Sequence, residues 1–262
     1  MEGSINAVND INGDPGAGIY VNGNIQHQDN SPIINLSNTT NITSTGNGIY
    51  AAGYATYNIN GAYISGEQSG LGIKSGVFNI LDGTIIGTGE DKTPTNGNNN
   101  GINPSGTAIQ IESNPGYKGD IELTIKKGTI KSNNSNVIYE YTIKNAPTEV
   151  KSINITGGTY TSKAGNPVFS VSDSFKNTHQ KFISGGTYSS DPTSYLKNGY
   201  STSKNENSLY TVTSSTMLVF AQKEKNINTT FPIILIIIPI TALIIITYLN
   251  RKKILNLNHS IK

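Results

Sequence analysis

The carboxylates placed to do acid/base chemistry are Asp82, Glu90, Asp91, Asp120 and Glu122. Two of them would serve glycoside hydrolysis only at a separation of about 5–10 Å. Glu90 and Asp91 are adjacent and read as a solvated turn. Asp120 and Glu122 share one side of a strand whose other side holds Ile121, Leu123 and Ile125, so they read as a polar outer face. The only arginine is Arg251, and His27 and His179 stand alone. There is no acidic calcium loop, no G-x-S-x-G turn and no cysteine. These residues predict no enzyme, no metal and no cofactor. Tyrosine offers more. Tyr50, Tyr54, Tyr57 and Tyr63 fall in two successive strand segments, and alternation along a strand cannot bury all four. An outward tyrosine presents a flat apolar ring with a polar edge, suited to a glycan or a protein. These four are the candidate ligand-binding residues.

Two short patterns position them. A small residue followed by Ile, Val or Phe recurs at Ile19, Ile49, Ile73, Ile109, Ile138 and Phe169. An apolar alternating run closed by Gly and Thr recurs at Gly83-Thr84, Gly128-Thr129, Gly158-Thr159 and Gly186-Thr187. The steps from Gly128 to Gly158 and from Gly158 to Gly186 are 30 and 28 residues. A repeat near that length suits one turn of a β-solenoid, with about three short strands per turn. Ile and Val alternate with Thr, Asn and Lys, as one-sided burial of a strand requires. The chain has 34 Asn, and stacked Asn or Thr at equivalent positions would form hydrogen-bonded ladders. Helix patterning of ten residues or more is absent before residue 231. Thr93 to Ser105 reads as an inserted loop. The fold class expected is all-β, a parallel β-solenoid; a two-domain β-sandwich fits the strand and turn spacing less well, since it does not explain the internal period.

Charge organises the rest. The formal net charge is +2, too small a basic surplus for a nucleic-acid binder. Phe231 to Leu249 is uncharged and about the length of a membrane-crossing helix. Pro239 is tolerable within such a helix, and Tyr248 suits its interface. Arg251, Lys252 and Lys253 follow, so the positive-inside rule places the C-terminus in the cytoplasm and residues 1–230 outside the cell. No sorting signal of the LPxTG type precedes the span. Residues 1–15 show no export signal. Either the chain is the last part of a longer exported protein, or it is tail-anchored with residues 1–230 inside; the charge rule favours the first.

Residues 183–212, ISGGTYSSDPTSYLKNGYSTSKNENSLYTV, together with the alternation of G-I-x-V and I-N-I-x-G-G-T-Y, resemble the C-terminal portion of pectin-lyase-like right-handed parallel β-helix surface proteins of Gram-positive-type bacteria, which are adhesin-like. The motif covers about 30 residues closely; the repeat pattern covers roughly residues 16–190 and is generic. The resemblance implies β-helix turns over 1–190, a capping module over 191–212, a stalk over 213–230, a transmembrane helix over 231–249 and a cytoplasmic tail over 250–262. In the cap, Asp191-Pro192 should end the last strand. A short turn or helix over 193–198 should lay Tyr195 and Leu196 on the open end, and 208–212 should pair as a final strand. The implied function is a membrane-anchored surface protein displaying loops and a strand face to a glycan or protein on a host or neighbouring cell. The alternatives are a β-helix carbohydrate-active enzyme of the lyase or glycosidase type and a purely structural spacer.

Overall fold

The structure, a computed structural model, describes residues 3–9, 16–23, 31–92, 96–97, 101–102, 106–113, 117, 119–142, 150–179 and 181–216. All but Thr216 belong to the first of two units, Met1–Ser215. The strands, in chain order, are β1 (Gly3–Ala7), β2 (Ile19–Val21), β3 (Ile33–Ser37), β4 (Thr40–Ser44), β5 (Asn47–Ala51), β6 (Thr56–Gly66), β7 (Ser69–Ile73), β8 (Gly76–Gly87), β9 (Asn96–Gly97), β10 (Gly101–Ile102), β11 (Thr107–Ser113), β12 (Ile121–Ile125), β13 (Thr129–Ser132), β14 (Ile138–Thr142), β15 (Val150–Ile155), β16 (Thr159–Thr161) and β17 (Phe169–Ser170). A short helix, α1 (Asp173–Thr178), precedes β18 (Thr187–Tyr188), a 3-10 turn at Thr193–Tyr195, β19 (Tyr200–Lys204) and β20 (Tyr210–Ser214).

Pairing follows the repeat. From β1 to β18, the β9–β10 pair aside, each strand lies parallel to the equivalent strand of the next repeat, which makes three rows. The first holds β3, the first half of β6, the first half of β8, β12 and β15. The second holds β1, β4, the second halves of β6 and β8, β13, β16 and β18. The third holds β2, β5, β7, β11, β14 and β17. The described residues are thus mostly strand, in repetitive parallel sheets, as an all-β fold requires.

The core is made of columns of stacked side chains. In the second row Ile5, Ile42, Ile64, Ile85, Ile130, Tyr160 and Tyr188 are in register, and all but the first are buried. In the third row the column is Ile19, Ile49, Leu71, Ile109, Ile138 and Phe169. Leu71, not Ile73, is therefore the equivalent of Ile49. Both residues point inward, so the face was legible but the register was two residues off. On the outside of the first row, Asn58 donates to Asn35 at 2.9 Å and Asn79 donates to Asn58 at 3.0 Å, the expected ladder. Thr84, Thr129, Thr159 and Thr187 form the outward hydroxyl row of the second.

The junction between the first and second rows is glycine at every repeat from Gly61 on, through Gly83, Gly128, Gly158 and Gly186, all with positive φ. A Cβ at Gly128 would also stand 2.6 Å from the Gly83 carbonyl oxygen, so successive bends pack backbone against backbone. Within the insertion, β9 and β10 form a small antiparallel pair.

The C-terminal end is closed by side chains and by a change of pairing. Ser172 caps α1, and Glu140 accepts from the Ser172 amide at 2.9 Å and hydroxyl at 2.8 Å. Phe175 and Leu196 are buried, and Phe169, Phe182 and Tyr195 pack as an aromatic cluster. β20 then runs antiparallel to β18 and to β19, ending the parallel series. The last strand reaches Ser214, two residues beyond the expected end of the cap. Among the described residues no helix is long and apolar enough to cross a membrane. Residues 231–249, and with them Arg251, Lys252 and Lys253, lie outside the described residues, as does His27.

Candidate binding face

The four expected tyrosines do not form one site. Tyr57 belongs to the interior: it is fully buried and stacks on Phe78 with ring centroids 4.2 Å apart and planes within 11°. It is unavailable to a ligand. Tyr63 points outward on the second row, between Asn41 and Thr84. Tyr54 sits where the third row turns into the first, near Asp120, Glu122 and Lys151. Burial, and then the two carboxylates, raise its hydroxyl pKa. Tyr50 alone lies in a cluster, on the outer side of the third row.

That cluster follows from register. Tyr20, Tyr50, Gly72, Gln110 and Tyr139 occupy one outward column of β2, β5, β7, β11 and β14. The rings of Tyr20 and Tyr50 stack at 5.7 Å with planes 13° apart. A Cβ on Gly72 would stand 2.9 Å from Asn47 Oδ1 and 3.2 Å from Tyr50 Cδ2, so glycine leaves the room that these two side chains fill. The hydroxyls of Tyr50 and Tyr117 share a hydrogen bond of 2.9 Å. Beneath them Asn47 donates to Gln68 at 3.0 Å and accepts from Ser69 at 2.6 Å.

Two residues along the same strands, Lys74 and Glu112 form an ion pair with no exposed side-chain surface, and Gln110 donates to Glu112 at 3.4 Å. Alternation puts both charges on the outer side of the row, yet both are buried. Desolvation holds Lys74 below its ordinary pKa, while Glu112 pulls the other way. Burial, the Tyr117 hydrogen bond and the Glu112 charge push the Tyr50 hydroxyl up. Burial also raises Tyr117 and Tyr139. At neutral pH these phenols stay protonated. They are hydrogen-bond donors and stacking surfaces, not bases. The two charges are each other's partners within the face. Tyr20, at 57 % exposure, is the most exposed ring of the cluster.

Sequence reasoning missed Tyr20, Tyr117, Lys74, Gln110 and Glu112. Tyr20 and Tyr139 were within reach, since they follow the same repeat marker as Tyr50. The ion pair gave no signal. Four of the five carboxylates weighed for catalysis have other partners: Asp120 pairs with Lys151, Asp82 with Lys127 at 2.7 Å and Glu90 with Lys92 at 3.9 Å, and Asp91 accepts from Ser135 at 2.7 Å. Ile121, Leu123 and Ile125 are buried opposite Glu122, as alternation required. His179 ends α1 and stacks on Phe175 at 4.6 Å. Among the described residues no group of three or more His, Cys, Asp or Glu is arranged to hold a metal.

No family model matches the chain, and neither a curated protein nor a solved structure is significantly similar to it.

Proposed function

We propose that the three rows wind as a right-handed parallel β-helix, and that the chain is a membrane-anchored surface protein of adhesin type. Parallel pairing of successive repeats, at steps of 22 and 21 residues along Ile42, Ile64 and Ile85 and of 30 and 28 along Ile130, Tyr160 and Tyr188, supports the winding, since crossovers between parallel strands are right-handed in nearly all proteins. The apolar segment 231–249 is the anchor, with Arg251, Lys252 and Lys253 on the cytoplasmic side. The resemblance of residues 183–212 to the closing module of bacterial surface β-helices supports the same placement. The ligand is a glycan or a protein on a host or neighbouring cell.

The observation that carries the binding role is the Tyr20–Tyr50 stack beside a buried ion pair two residues further along the strands. A flat ring with protonated hydroxyls nearby matches the apolar face and hydroxyl rim of a sugar. The test is an array of bacterial and host glycans probed with the full chain in detergent, with released reducing ends and unsaturated sugars measured alongside. Retention of one glycan class without product supports the reading. Product release would make the chain a carbohydrate-active enzyme. No retention of any glycan or of cells bearing them would leave a spacer.

A further inference from the structure

Three polar side chains are buried together where β7 and β11 pair in the third row. Lys74 directly follows β7, and Gln110 and Glu112 lie on β11. Lys74 and Glu112 have no exposed side-chain surface, and Gln110 is 1 % exposed. Gln110 is in register with Gly72, two residues before Lys74, a diagonal that long side chains span. One oxygen joins the three. Glu112 Oε2 accepts from Lys74 Nζ and from Gln110 Nε2, the second at 3.4 Å. An amine, a carboxamide and a carboxylate therefore meet at one point, out of water. As an ion pair, the two charges carry the desolvation penalty of both.

We propose that Lys74 and Gln110 join in an amide bond, an intramolecular cross-link that forms with Glu112 as the proton carrier. Glu112 takes one proton from the Lys74 ammonium, which frees the lone pair of Nζ. Desolvation favours that neutral amine. Nζ then attacks Gln110 Cδ, and the bond from Cδ to Nε2 breaks. The protonated Glu112 carboxyl gives its proton to the departing nitrogen and takes the surplus proton from Nζ. One ammonia leaves, and nothing is oxidised or reduced. A neutral amide and a neutral carboxyl replace the two buried charges. Neighbours held in place make such a step unimolecular, and burial keeps water from competing for the carbonyl. A stack of repeats is held by contacts between successive repeats. This bond ties the two third-row strands that the 93–105 insertion separates in sequence. It does not depend on what ligand the third row takes.

The test is the intact mass of the full 27.9 kDa chain, measured after unfolding at a resolution that separates loss of ammonia from loss of water. The wild-type chain should be lighter than its sequence by one ammonia. A protease digest should contain a branched peptide that joins the segment of Lys74 to the segment of Gln110. Lys74→Met and Glu112→Gln should each return the full sequence mass and no branched peptide. A wild-type chain at its full sequence mass overturns the proposal, and that result stands whether or not a variant folds. Loss of one water also overturns it, since Glu112 would then be the acyl partner. So does an ammonia loss that persists in Lys74→Met, which would arise elsewhere, as at an asparagine closing on its own backbone.

Discussion

The outer sides of the second and third rows are made by the same repeats, yet they are opposite environments. Behind each stands a continuous apolar column, from Ile42 to Tyr188 in one and from Ile49 to Phe169 in the other. Outside the second row, Thr129 and Thr159 face solvent, and the ion pair at the adjacent bend, Lys127 with Asp82, is open to water. Outside the third row, Lys74, Gln110 and Glu112 are buried and Tyr50 is held between Tyr20 and Tyr117. Inward columns therefore set the fold, while outward residues are free to make one face wet and the other dry. The dry face is the one where weak polar contacts gain strength, because competing water is excluded.

The largest expected effect tests that contrast directly. Glu112→Ala removes the carboxylate that Lys74 pairs with inside the face. It should cost about 3–5 kcal/mol in denaturant unfolding. Lys127→Ala, which breaks the exposed pair with Asp82, should cost no more than about 1 kcal/mol. Equal losses would erase the distinction between the faces.

Next in size is the response to alkali. Tyr57, Tyr160 and Tyr188 are buried with raised pKa values, and desolvation is the first cause for each. A phenol whose folded pKa exceeds its unfolded value of 10.0 binds its proton more tightly in the fold. Its contribution is complete below pH 10.0 and is lost as pH rises beyond it. Stability should thus fall steeply above that pH, with the tyrosinate absorbance of these residues appearing together with loss of the β-sheet spectrum. Gradual ionisation in a chain that stays folded would contradict the burial of the columns.

A smaller effect separates core from surface within the tyrosine set. The Tyr57 hydroxyl is buried with no hydrogen-bond partner. Tyr57→Phe removes a stranded polar group and should be neutral or stabilising by about 1 kcal/mol. The smallest effect belongs to the wet face, where Thr159→Ala should change stability by about 0.5 kcal/mol or less in thermal unfolding.

How much was legible depended on what marks each repeat. The second row could be read residue by residue, because each Gly-Thr pair sits at a bend that only glycine fits, and Thr129, Thr159 and Thr187 are in register. The third row has no such punctuation. Leu71 and Ile73 both point inward, so composition alone could not choose between them. Tyr57 and Tyr63 are six apart, and unbroken alternation would put them on one side. The bend at Gly61 resets the phase: Ile59 and Ala62 both point inward, three residues apart, so Tyr57 is buried while Tyr63 faces out. The Lys74–Glu112 pair was invisible for another reason. Its members lie on neighbouring strands separated by the 93–105 insertion, and alternation assigns outward charges to solvent.

The central claim, that the dry tyrosine face and not the wet hydroxyl face takes the ligand, is tested most directly by one pair of variants. Affinity for the glycan selected on the array should be measured by titration calorimetry for wild type, Tyr20→Ala and Tyr63→Ala. Both tyrosines are partly exposed, so neither change disturbs the core. The account predicts that Tyr20→Ala weakens binding roughly tenfold, about 1.4 kcal/mol, while Tyr63→Ala leaves it unchanged. Loss of binding in Tyr63→Ala with full affinity in Tyr20→Ala would contradict it.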